Sequence, residues 1–256
     1  MRNSTPFNGP SLGSFVTGGR HQINDLWSVT LENSFDLDDD ARNLTSTYGV
    51  AFKPDSHWTY DGNLEYGDVR DEITGNELRR VAVSAGVAYK DKENLSWRVK
   101  SELRFENSNA LGLDRNTYLL TGNLQHKQSE NWRLLLNADA VISNSDQSSF
   151  LDGDYIDASI GYAYRPVKND KLNALVKYNY LYELPGPDQV TVQGNTLGPA
   201  QRSHIFNADL IYDLSKNLSI GGKYGFRIGE VSATRDADDF VKSSAHLGIL
   251  RLDHQV

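Results

Sequence analysis

Residues 171–183, KLNALVKYNYLYE, alternate with a period of two. Leu172, Ala174, Val176, Tyr178, Tyr180 and Tyr182 fall on one parity; Lys171, Asn173, Leu175, Lys177, Asn179, Leu181 and Glu183 fall on the other. Successive side chains of a strand point to opposite faces, so the run specifies a strand with one apolar and one mainly wet face. Soluble strands usually last about five or six residues. This one is about twice as long, and what its apolar face touches decides the fold.

The pattern recurs along the chain. About twelve strands are predicted, near 23–35, 43–53, 57–68, 79–90, 95–106, 115–126, 131–143, 153–165, 171–183, 203–214, 217–229 and 241–254. All seven prolines lie outside them, as a hydrogen-bonded sheet requires. No segment carries a helical period. The connections alternate between short ones, such as KPDSH and KQSEN, and long polar ones, such as SNSDQSSFLDGD and LPGPDQVTVQGNTLGPAQR. Tight turns at one end and long loops at the other are the habit of bacterial outer-membrane barrels. The expected fold is an all-β, antiparallel up-and-down transmembrane β-barrel spanning 21–256, with 1–20 as an irregular linker.

Composition agrees. Mean hydropathy is −0.54, yet aromatics reach 10%, too many for a disordered chain of that polarity. No run of about eighteen apolar residues exists to make a membrane helix, whereas a barrel hides its apolar residues at alternate positions. Cysteine is absent, so neither disulfides nor thiolate metal sites arise. A net charge of −8 without a basic stripe argues against nucleic acid.

The aromatics mark the membrane boundaries. Trp58, Tyr89, Trp97, Trp132, Tyr164 and Tyr212 stand on the apolar parity beside the short turns, and Tyr180 and Tyr182 toward the long loops. Two such rows bracketing Leu, Val, Ile and Ala match the girdles of a membrane barrel. The opposite parity carries charges of both signs: Arg98, Lys100, Glu102, Arg104, Arg133, Asp139, Lys177, Asp209, Lys223 and Arg227. They either line a water-filled lumen or pair into the interior of an anchor. The last strand, 241–254, shows no clear parity, which suggests a bulge or a truncated context.

The runs GYAYRPVKNDKLNALVKYNYLYELPGPDQV (161–190) and GPAQRSHIFNADLIYDLSKNLSIGGKYGFRIGEV (198–231) resemble a known barrel family. It is the C-terminal outer-membrane domain of large Gram-negative surface proteins, OmpA-like or repeat-containing, and the likeness extends more loosely over 21–256. It implies a membrane anchor of a larger surface protein, with further strands beyond RLDHQV in a larger barrel. A passive porin-like channel is the alternative, and an outer-membrane hydrolase a lesser one. The expected partners are outer-membrane lipid, lipopolysaccharide and the barrel-assembly machinery; the oligomeric state is not legible.

Chemistry has little support in the sequence. No G-x-S-x-G occurs, and Ser243, Ser244 and His246 are near one another only along the chain. The acidic loops with Asp36, Asp38, Asp39 and Asp40, and with Asp236, Asp238 and Asp239, lack EF-hand spacing and read as solvated tips. The expectation is a non-enzyme without catalytic residues, metal or cofactor.

Overall fold

Thirteen strands follow one another in chain order in one up-and-down sheet, each lying beside its neighbours in sequence. They are β1 Gly13–Gln22, β2 Trp27–Leu37, β3 Ala41–Phe52, β4 Trp58–Asp71, β5 Glu77–Lys90, β6 Leu95–Ser108, β7 Leu113–Lys127, β8 Trp132–Ser145, β9 Tyr155–Tyr164, β10 Leu172–Tyr182, β11 Gln201–Ser215, β12 Leu218–Val231 and β13 Val241–His254. The structure, a computed structural model, describes residues 13–37, 41–71, 77–91, 93–108, 112–145, 154–168, 171–182, 200–232 and 240–254.

Three expectations need correction. Twelve strands become thirteen, because β1 occupies part of the segment expected to be an irregular linker. Its sequence, GSFVTGGRHQ, is too rich in glycine to read as a strand, yet it pairs with β2 from Gly13↔Leu37 to Gln22↔Ser28. Gly18 is required there: a Cβ would lie 2.9 Å from the Glu32 Cα, closer than packing allows. The expected bulge in the last strand is absent, since β13 pairs with β12 without a register shift from Val241 to His254. Finally, several long loops are shorter than expected. Strands β2 to β8 run on into the polar segments, leaving only 38–40, 72–76 and 109–112 between β2 and β3, β4 and β5, and β6 and β7.

The chain divides into two compact units, one of residues 1–88, 100–119 and 143–152, the other of 89–99, 120–142 and 153–256. In the second unit the registers of β10 to β13 arrange the apolar face in rows. Nearest the short turns lies Leu172–Tyr212–Ile220–Leu252, followed by Ala174–Leu210–Gly222–Leu250 and Val176–Ala208–Tyr224–Gly248. Then come Tyr178–Phe206–Phe226–His246, Tyr180–His204–Ile228–Ser244 and, at the long-loop end, Tyr182–Arg202–Glu230–Lys242. Polarity thus changes with depth along the strands, from an aliphatic band through rings and histidines to charges.

Hydrophobic burial within the protein is almost missing. Among the described residues only Ala82 and Ala200 are buried apolar ones, while Leu210, Val176, Phe206 and Val83 are exposed. At roughly 25 cal/mol per Å² of apolar surface removed from water, such a sheet gains little from its own packing. Its apolar face needs an apolar medium outside the protein. The polar face needs water.

The short turns are built by one local device. Asn24 Oδ1 accepts the N–H groups of Leu26 and Trp27, each at 2.9 Å. Asp55 Oδ1 accepts those of His57 and Trp58 at 2.7 and 2.9 Å, and Ser129 Oγ those of Asn131 and Trp132 at 3.3 and 3.2 Å. Side chains of this type satisfy turn amides locally. In each case the third residue on is a tryptophan that opens the next strand, so the turn sets the depth of the girdle.

Two outcomes follow for stability. Leu210→Arg on the apolar face costs about 2–4 kcal/mol in urea titrations of vesicle-inserted protein, whereas Asn207→Arg on the polar face costs far less; equal costs contradict the facing. The amide donors of Trp58 and His57 hold the Asp55 carboxyl below the usual aspartate range. A depressed folded-state pKa stabilises the turn above the unfolded-state pKa, and that contribution is lost as pH falls through the folded-state value. Asp55→Ala removes this acid-side loss, which unfolding curves followed by tryptophan fluorescence detect.

Candidate functional site

The charges gather on the face opposite the apolar rows. β6 presents Arg98, Lys100, Glu102, Arg104 and Glu106 at alternate positions, a consequence of strand periodicity alone. Glu102 accepts from Lys100 Nζ at 3.2 Å and from Arg104 Nη2 at 2.7 Å, both on its own strand. Glu106 is deeper: its side chain is 2% exposed and bridges two neighbouring strands. Arg80 of β5 reaches it at 2.7 Å and Arg115 of β7 at 2.6 Å. Beside them Thr117 and Ser143 hydroxyls lie 3.2 Å apart. A buried carboxylate with two guanidinium partners is compensated; with either removed it is not.

In the second unit the same face is more open. Arg133 is exposed on β8, and Asp139 lies directly across from Asp157 of β9. Like charges placed opposite one another in a ladder repel. Lys177 of β10 faces Gly161 on one side and Asn207 on the other. Asp209 and Lys223 are register partners with a 3.5 Å ion pair. Arg227 donates to Ser203 Oγ through Nε and Nη2, at 3.2 and 3.0 Å.

The ten charges expected from the sequence do not form one cluster. Pairing joins Lys100, Glu102 and Arg104, and separately Asp209 and Lys223. Arg115 went unrecognised because it opens a predicted strand, where parity is hard to fix. The row Arg202, Glu230 and Lys242 was also missed: it lies on the apolar parity, and two of its members fall just outside the predicted strand ends. The acidic tips with Asp38, Asp39 and Asp40, and with Asp236, Asp238 and Asp239, fall outside the described residues, and the Asp36 side chain is not described either.

Several of the expected girdle aromatics pack against neighbouring rings. Trp58 stacks on Tyr60 at 5.9 Å. Tyr89 stacks on Trp97 at 6.5 Å. Trp132 contacts Tyr164 at 4.7 Å, with the rings tilted. At the other end, the Tyr178 hydroxyl shares a 2.7 Å hydrogen bond with His204 Nδ1, and Tyr180 packs against the same ring at 5.1 Å. Tyr212 and Tyr182 occupy the first and last of the six rows across β10 to β13.

A known structure shares this architecture. The outer membrane channel DcaP of Acinetobacter baumannii is 12% identical, with a TM-score of 0.52 over 95% of this chain and 85% of that one. OccK11 (OpdR) of Pseudomonas aeruginosa is 13% identical, with a TM-score of 0.44 over 97% and 73%. No curated protein matches the sequence. The fold is that of bacterial outer-membrane β-barrel proteins, as the alternating strands implied. Residues 78–235, more than half of the chain, match the family described as the putative MetA-pathway of phenol degradation, and the chain belongs to that family.

Glu106→Gln leaves Arg80 and Arg115 facing a neutral amide and lowers stability by about 2–3 kcal/mol. Glu102→Gln, whose partners are more exposed, costs less. Denaturant midpoints in vesicles or detergent measure both, and the reverse order contradicts the assigned role of Glu106.

Proposed function

We propose that this chain is the wall of a passive channel in the bacterial outer membrane, open to small polar solutes. The observation that supports the reading best is the exposure of the polar face. Arg98, Arg133, Lys223 and Arg227 are exposed there, and the ion pairs run along and between strands within the sheet. A packed anchor interior would leave such groups little exposed, each held by close partners, because charge is costly away from water. The family description names phenol degradation, which points to small hydroxylated aromatic compounds as cargo. A channel that admits such a compound serves a degradation pathway without performing chemistry.

Anchoring of a larger surface protein is the second reading. The arginine-bridged Glu106 favours it, since a locally closed, salt-bridged wall suits a structural interior. Reconstitution in planar bilayers separates the two. A channel gives stepwise, salt-dependent currents, whereas an anchor inserts and stays silent. Replacing Arg98, Arg133, Lys223 and Arg227 by Gln moves the reversal potential in a salt gradient toward cation selectivity. An unchanged reversal potential removes those residues from the conducting path.

A further inference from the structure

Arg202, Glu230 and Lys242 form a charged row on the apolar face, where the channel reading has no use for charge. They are register neighbours on β11, β12 and β13 at the long-loop end. We propose that Arg202 and Lys242 form a binding site for the phosphate of a lipid headgroup in the outer leaflet. The inference rests on the membrane placement above.

Depth supports it first. A strand rises about 3.3 Å per residue, so the path from Tyr212 to Arg202 covers about 33 Å. At a tilt of about 40° this is roughly 25 Å of depth, the height of the apolar band of such barrels. Tyr212 marks the short-turn boundary, so the charged row lies where hydrocarbon ends and headgroups begin. Longer loops face the cell exterior, which makes this the outer leaflet.

The local chemistry supports it next. Glu230 is nearly buried, with its side chain 9% exposed between the two cations. Arg202 Nε donates to one of its carboxylate oxygens, and Lys242 Nζ lies 3.3 Å from the other. The Arg202 guanidinium also sits 4.1 Å over the Phe240 ring. One carboxylate thus positions two cations and leaves the row with a net positive charge. A guanidinium has five N–H donors and an ammonium three, so both groups keep donors after binding Glu230. Side-chain exposures of 38% for Arg202 and 75% for Lys242 leave those donors accessible. Phosphate oxygens are strong acceptors for paired charged donors, and basic groups at a headgroup surface attract anionic lipid.

The test uses the detergent-purified chain and three probes: lipid A, a phosphorylated glycolipid; phosphatidylcholine; and inorganic phosphate. Native mass spectrometry with a titration of each probe reads retention. Wild type is expected to retain lipid A in preference to phosphatidylcholine, and Arg202→Gln with Lys242→Gln to lower that retention about tenfold. The charge-preserving pair Arg202→Lys and Lys242→Arg should keep most of it. Equal lipid A retention by wild type and the Gln pair overturns the site, as does loss in the charge-preserving pair. Inorganic phosphate binding as tightly as lipid A overturns the lipid assignment. Conductance of the Gln pair should match wild type, so a failed site and a failed channel reading are told apart.

Discussion

Contact between an apolar protein face and an apolar solvent is the interaction on which the remaining structure depends. Among the described residues the sheet buries almost none of its Leu, Val, Ile and aromatic side chains against itself, so their stabilisation comes from lipid. That requirement explains why alternation persists over strands far longer than soluble proteins use. It also explains the order of the rows across β10 to β13. Aliphatic side chains fill the rows toward the short turns, rings and hydrogen-bonded histidines the rows beyond them, and Arg202, Glu230 and Lys242 the row at the long-loop end. Each row matches the polarity of the medium at its depth.

The other face obeys the opposite rule. It keeps Arg98, Arg133 and Lys223 exposed, and it uses ion pairs to tie neighbouring strands. Glu106 is the exception. Its depth among Arg80 and Arg115 makes it a structural joint. The Asn, Asp and Ser side chains at the short turns complete the design, because each fixes where a tryptophan meets the interface.

Much of this was legible in the sequence because strand periodicity writes facing directly into residue order. KLNALVKYNYLYE assigned Leu172, Ala174 and Val176 to the apolar face, and the register of β10 with its neighbours places them there. Less legible were features set by pairing. β1 carries too much glycine to announce itself, and the closeness of Gly18 to Glu32 exists only once β2 is beside it. The expected bulge in β13 reflected mixed faces on a regular strand. Strand ends were hardest to place, since polar extensions look like loops; Arg202 and Glu230 lay just beyond the boundaries drawn. The family likewise needed comparison with known sequences, because alternation defines a membrane sheet and leaves its cargo unspecified.

The most direct test of lipid contact exploits the absence of cysteine from the chain. Single cysteines placed in turn from Ile205 to Tyr212 of β11 can carry nitroxide labels in vesicle-inserted protein. Collision with oxygen, which concentrates in lipid, should be high at 206, 208, 210 and 212. Collision with a water-soluble nickel chelate should be high at 205, 207, 209 and 211. A smooth profile without this two-residue alternation would contradict the account.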